Sequence, residues 1–174
     1  MRSGTLLIDI ALSQQPAYVT APYDRSMTRT MRGRPLNHSL VRALRRVPDF
    51  STLDDRLLLK VVGASANLFW PAGTVVFEQG SPSEALYIVL SGRISIKEDG
   101  AGNGDLARIG PGDYFGELSL LRNSRHTKSA EALEDCELLV LPKRSFLALM
   151  DADADLAEQV RIKGAGRVGE LQLS

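Results

Sequence analysis

From Asn37 apolar residues recur at spacings of three and four. Leu40, Val41, Leu44 and Val47 fall on one side of a helix, Arg42, Arg45 and Arg46 on the other, and Pro48 stops the run. Ser51-Thr52-Leu53-Asp54-Asp55 then places a capping hydroxyl before two acids. This predicts a second helix to about Gly63, with Leu57, Leu58, Val61 and Val62 facing a core. After Ala66 the period falls to two. Short apolar runs follow at 68–70, 74–78, 85–90, 93–97, 106–109, 127–133 and 137–141, separated by Gly and Pro. Ten of the 15 glycines lie between Gly63 and Gly116, where closely spaced strands need tight turns. Beyond Pro142 the helical period returns through Phe146, Leu147, Met150, Leu156 and Val160, and Gly164 and Gly166 are expected to end it.

This pattern predicts a mainly β protein with flanking helices: a jelly-roll β-barrel with N-terminal helices and a C-terminal helical segment. The boundaries follow as a flexible basic arm over 1–36, a helical segment over 37–65, the barrel over 66–142, and C-terminal helices and tail over 143–174. The arm carries Pro16, Pro22, Gly33, Pro35 and five arginines without a sustained apolar period. Leu6 to Leu12 is its one candidate for binding a partner.

Charge alters the picture more than composition does. The 174 residues hold 21 Lys+Arg and 21 Asp+Glu, yet residues 1–46 sum to +6 and residues 47–174 to −6. Net neutrality removes a general pull toward nucleic acid, and the 32 residues after Pro142 are too few for a helix-turn-helix module, so no nucleic-acid partner is expected. No apolar run reaches membrane-spanning length, and Asp9 interrupts the apolar stretch of the N-terminus, so neither a membrane span nor a secretory signal is expected. One cysteine, Cys136, allows no internal disulfide. Together these predict a cytoplasmic protein.

The informative interruption of the barrel is Gly110-Pro-Gly-Asp-Tyr-Phe-Gly-Glu-Leu-Ser-Leu-Leu121. Gly116 permits a sharp turn into one short helical turn, whose unpaired N–H groups can face an anion. Glu117 beside them would repel a phosphate, so its fitting partner is neutral and hydroxylated, such as a ribose edge.

Through these residues the chain resembles the cyclic nucleotide-binding domains of kinase A regulatory subunits, cyclic nucleotide-gated channels and bacterial catabolite activator proteins. The likeness covers roughly residues 47–150, with Gly73, Gly80, Gly92, Gly112, Gly116 and Glu117 in the family's positions. The resemblance implies that Phe115 to Ser119 form the phosphate-binding cassette. Glu117 would take the ribose 2′-hydroxyl, and the Leu118 and Ser119 amides would lie near the cyclic phosphate. Where the family continues with arginine, a small residue or threonine, alanine, and serine or threonine, this chain has His126, Thr127, Lys128 and Ser129. Histidine at the arginine position is the departure, since neutral imidazole offers one donor in place of a charged fork.

Three readings stay open. Arg125 enters by a one-residue loop shift, His126 serves as a weaker donor helped by Lys128, or the pocket has lost its ligand. Under the second, affinity rises as pH falls from about 8 to 6, around the ordinary histidine pKa. Thr127 occupies a place that in the family accompanies contacts to guanine, a slight lean toward cyclic GMP beside cyclic AMP.

The expected function is a stand-alone regulatory domain that binds cyclic AMP or cyclic GMP and relays this to an effector protein. It would be non-catalytic, without a cofactor, and compatible with a homodimer. The alternative is a degenerate, ligand-independent interaction module. A cupin-type metal enzyme is remote, because His38 and His126 are the only histidines and His38 precedes the barrel. Trp70 is expected in the core or at a strand edge, Cys136 as a small filler, and the Asp151, Asp153, Asp155 run as a helix start.

Overall fold

A computed structural model describes residues 36–100 and 104–173, so the predicted arm lies outside the described residues except for Leu36. Helix α1 (Leu36–Leu44) leads through a 3-10 turn (Pro48–Phe50) to α2 (Asp55–Ala64). The cap of α2 is Asp54, not Ser51. Its Oδ1 accepts from Leu57 N at 2.7 Å, whereas Ser51 Oγ donates to the Pro48 carbonyl at 2.6 Å. Pro48 opens the intervening turn, and that turn uses the serine.

Eight strands follow: β1 (Ala66–Trp70), β2 (Val75–Phe77), β3 (Ala85–Ser91), β4 (Ile94–Lys97), β5 (Ala107–Ile109), β6 (Tyr114–Phe115), β7 (Ser129–Ala132) and β8 (Cys136–Pro142). A short helix α3 (Glu117–Leu121) sits between β6 and β7, and α4 (Lys143–Ala152) and α5 (Ala154–Leu173) close the chain. The strands form two antiparallel sheets, in orders β1-β8-β3-β6 and β2-β7-β4-β5. The protein is therefore mainly β with flanking helices.

The two sheets differ in a way their sequences anticipate. In β3, Tyr87 and Val89 point into the barrel while Leu86 and Ile88 pack under the helices; Leu138 and Val140 of β8 divide from Leu139 and Leu141 in the same manner. Buried on both faces, these strands read as continuous apolar runs. In the second sheet Ile94, Ala130 and Ala132 face inward, and the opposite face carries Lys97 paired with Glu131 at 2.8 Å. One water-facing side gives the alternation. Phe50, Leu58, Phe146 and Leu156 join the helices to the outer face of the first sheet.

Strand β6 is missing from the sequence reading because two residues cannot display a period. It exists by pairing Tyr87 with Phe115 and Ile88 with Tyr114. The C-terminal helix also departs from expectation by running on through Gly164 and Gly166 to Leu173. Gly164 serves packing: a Cβ there would lie 2.9 Å from Leu118 Cδ2. Its absence lets α5 approach α3 closely. Trp70 is buried edge-on to Tyr87, and Cys136 is buried between the Arg93 and Glu134 carbonyls. Asp153 Oδ1 caps the start of α5 by accepting from Leu156 N at 2.8 Å.

Candidate ligand pocket and the anchor of the C-terminal helix

Gly116 turns the chain from β6 into α3 at φ +91°, a left-handed conformation with its Cβ position only 3.1 Å from the Ala85 carbonyl. Both conditions call for glycine. The turn delivers Glu117 inward, where it is 2% exposed. A carboxylate this buried needs a partner. It finds one on α5: Arg167 Nη1 donates to Glu117 Oε1 at 2.7 Å and to the Tyr114 carbonyl at 2.7 Å. Burial still holds the Glu117 carboxyl above its usual range, against the pull of Arg167.

The pair extends into a network. Arg167 Nη2 donates to Asp113 Oδ1 at 2.8 Å, and Lys163 Nζ lies 2.6 Å from the same oxygen, 3.5 Å from Asp49 Oδ2 and 4.3 Å above the Tyr114 ring. Tyr114 Oη donates to Asp49 Oδ2 at 2.5 Å. For Asp113, burial works to raise the pKa, but the Lys163 hydrogen bond and the Arg167 charge outweigh it and hold the carboxyl low. The 3-10 turn, the β5–β6 loop, the cassette and α5 thus meet in one ionic cluster.

Beside it opens a cleft of about 650 Å³, part of it open to solvent, with an apolar wall of Phe77, Ile96, Ile109 and Leu118. Of the residues singled out from the sequence, Gly116, Glu117, Leu118, Ser119, His126 and Thr127 line this cleft. Arg125 and Ser129 do not. Arg125 Nη1 donates to the Gly80 carbonyl at 2.8 Å, and Ser129 Oγ donates to Asp99 Oδ1 and accepts from Gln79 N, each at 2.8 Å. Lys128 lines the cleft with its Nζ held 2.5 Å from Glu98 Oε1.

His126, not Arg125, faces inward because its backbone is pinned. Its N–H donates to the Ser81 carbonyl at 3.0 Å and its carbonyl accepts from Gly80 N at 2.7 Å. The ring stacks on Phe77 with centroids 3.6 Å apart, is 3% exposed, and leaves Nε2 without a hydrogen-bond partner. Burial pushes its pKa down to about 4. The imidazole is therefore neutral between pH 6 and 8, and its titration lies below the range expected from an ordinary histidine.

Residues 68–153 match the family model described as the cyclic nucleotide-binding domain. This part of the chain belongs to the cyclic nucleotide-binding domain family. The chain is 42% identical over 106 residues to the cyclic AMP receptor protein of Thermus thermophilus, an alignment covering 60% of this chain and 49% of the relative. Among solved structures, the catabolite activator protein of that organism aligns with a TM-score of 0.63 at 34% identity, over 72% of this chain and 60% of the other. The regulatory subunit of a cAMP-independent protein kinase A from Trypanosoma brucei aligns with a TM-score of 0.68 at 21% identity, over 74% and 46%. That likeness concerns the fold. The chain spans about half the length of the receptor it matches. No helix among the described residues is long and apolar enough to cross a membrane.

Arg167 and Lys163 were not singled out from the sequence. Their i, i+4 spacing on one helix was a usable signal. It was obscured because the helix was expected to end at Gly164.

Proposed function

We propose that this chain is a non-catalytic, cytoplasmic regulatory domain. Its cleft takes a ribose-bearing ligand of the nucleotide class and relays occupancy to a partner protein through α5. The observation that carries this reading is the Glu117–Arg167 pair. The carboxylate that would accept a ribose hydroxyl is the same group that pairs with Arg167 of the C-terminal helix. A ligand hydroxyl at Glu117 competes with or reorients Arg167, so binding and the seating of α5 share one bond. Cyclic AMP and cyclic GMP are the family's ligands and the first to test. Thr127 on the cleft wall keeps the lean toward cyclic GMP alongside cyclic AMP.

Calorimetry with wild type and Glu117→Gln, paired with hydrogen exchange over residues 154–173, tests the reading. The expected result is saturable binding by the wild type, weaker binding by the variant, and altered exchange in α5 on binding. Binding without any change in α5 would refute the relay. A second reading, a ligand-independent interaction module, is favoured by Arg167 satisfying Glu117 with the chain's own groups alone. It predicts no heat with any nucleotide or nucleoside.

A further inference from the structure

We infer that the cleft selects an uncharged ribonucleoside over the corresponding cyclic phosphate. This deepens the proposed function and rests on its premise that a ribose-bearing ligand enters the cleft. The argument is one of charge. Lys128, on the cleft wall, is held by Glu98 at 2.5 Å, and Arg167 is held by both Glu117 and Asp113. Arg125 is turned to the Gly80 carbonyl outside the cleft. Among the described residues, no cation on the wall lacks a carboxylate partner. The cluster at its inner end sets two cations, Lys163 and Arg167, against three carboxylates, Asp49, Asp113 and Glu117.

An anion entering here meets a net negative cluster and gains a cation only by breaking an existing ion pair. The arginine position holds a buried imidazole stacked on Phe77, a single-donor group in place of a charged fork. Burial keeps that imidazole uncharged near neutral pH.

A neutral ligand meets none of these penalties. The apolar wall of Phe77, Ile96, Ile109 and Leu118 suits a planar base, Glu117 is an acceptor for a hydroxyl, and the unpartnered Nε2 of His126 is satisfied by a single donor or acceptor. The phosphate is the part of a cyclic nucleotide that this cleft disfavours.

The test is calorimetry on the full chain with adenosine, guanosine, cyclic AMP and cyclic GMP at low and high salt. For at least one base the nucleoside should bind about tenfold or more tightly than its cyclic phosphate, with little dependence on salt. Glu98→Gln alters a half-exposed surface partner and frees Lys128. It should raise affinity for the cyclic nucleotides about three- to tenfold and leave nucleoside affinity unchanged. His126→Arg, where it folds, should raise cyclic-nucleotide affinity more strongly and weaken the nucleosides, because it removes the Nε2 that their donor or acceptor meets. Cyclic nucleotides binding as tightly as the nucleosides or more so, or Glu98→Gln moving both classes equally, would overturn the inference and leave the proposed function standing. Absence of binding by all four compounds would overturn both.

Discussion

Replacing Arg167 with methionine keeps the apolar stem of the side chain and removes its charged guanidinium, leaving Glu117 buried without its cation. The carboxylate can stay ionised, the case in which breaking a buried pair costs about 3–5 kcal/mol, or it can take up a proton. Protonation sets the ceiling: from an ordinary glutamate pKa to pH 7 the cost is about 3.5 kcal/mol. Burial already holds the Glu117 carboxyl above its usual range in the presence of Arg167, so part of that cost is present in the wild type. Asp113 keeps Lys163 at 2.6 Å and is not orphaned. The expected loss is therefore about 2–3 kcal/mol at pH 7. An acid whose folded pKa is raised binds more protons folded than unfolded, so stability falls as pH rises through that interval. The deficit should shrink to about 1.5 kcal/mol or less at pH 5.5, and Glu117→Gln in the Arg167→Met background should recover most of it. Urea unfolding followed by the fluorescence of Trp70, the single tryptophan and 1% exposed, measures each variant. A loss under about 0.5 kcal/mol at pH 7, or one that does not shrink on acidification, would refute the view that the pair holds α5 through a buried charge.

His126 titrates near pH 4 in the folded chain and near its ordinary value when unfolded, so the unfolded state binds more protons between those limits. Stability should fall by about 1–2 kcal/mol as pH drops from 7 to 5, and His126→Leu should remove that part of the slope in urea titrations. Gly164→Val drives a branched side chain toward Leu118 and should cost about 1–3 kcal/mol, read as a lower thermal midpoint together with a shift in ligand affinity. Asp54→Ala removes the cap on Leu57 N and should cost about 1 kcal/mol with no effect on binding, which separates helix stability from the cleft.

What the sequence displays depends on whether a residue's neighbours lie close along the chain. Strands β3 and β8 are legible because burial on both faces writes an unbroken apolar run, and the turn glycines mark where strands end. Two-residue β6 is invisible because only its pairing with β3 defines it. The sequence points to a hydroxyl cap ahead of the two acids, but the cap is the first acid, Asp54, because Pro48 draws Ser51 into its own turn. At the cleft, the resemblance implies His126 where the family has arginine, and the backbone hydrogen bonds to Gly80 and Ser81 hold the residue at the cleft wall. Arg167 could not be read in the same way. Its partners Glu117 and Asp113 lie 50 and 54 residues away in sequence.

The proposed coupling between cleft and helix also limits which ligands can be signals. A ligand shifts a conformational equilibrium only by the difference in its affinity for the two states. One that fills the apolar wall and leaves Glu117–Arg167 intact binds both seatings of α5 equally, and changes nothing beyond the cleft. One whose hydroxyl takes the Glu117 oxygen removes one of the carboxylates that hold Arg167, leaving Asp113 shared by Arg167 and Lys163. The helix then keeps its Lys163 contacts to Asp113, Asp49 and the Tyr114 ring, one turn nearer its start. Release is therefore graded along the helix: residues beyond Arg167 loosen first, while Leu156, Ala157 and Val160 stay in the core. Hydrogen exchange that rose uniformly from Ala154 onward on ligand binding would contradict this order. A rise confined to the last turns would place the signal at the C-terminal end of α5.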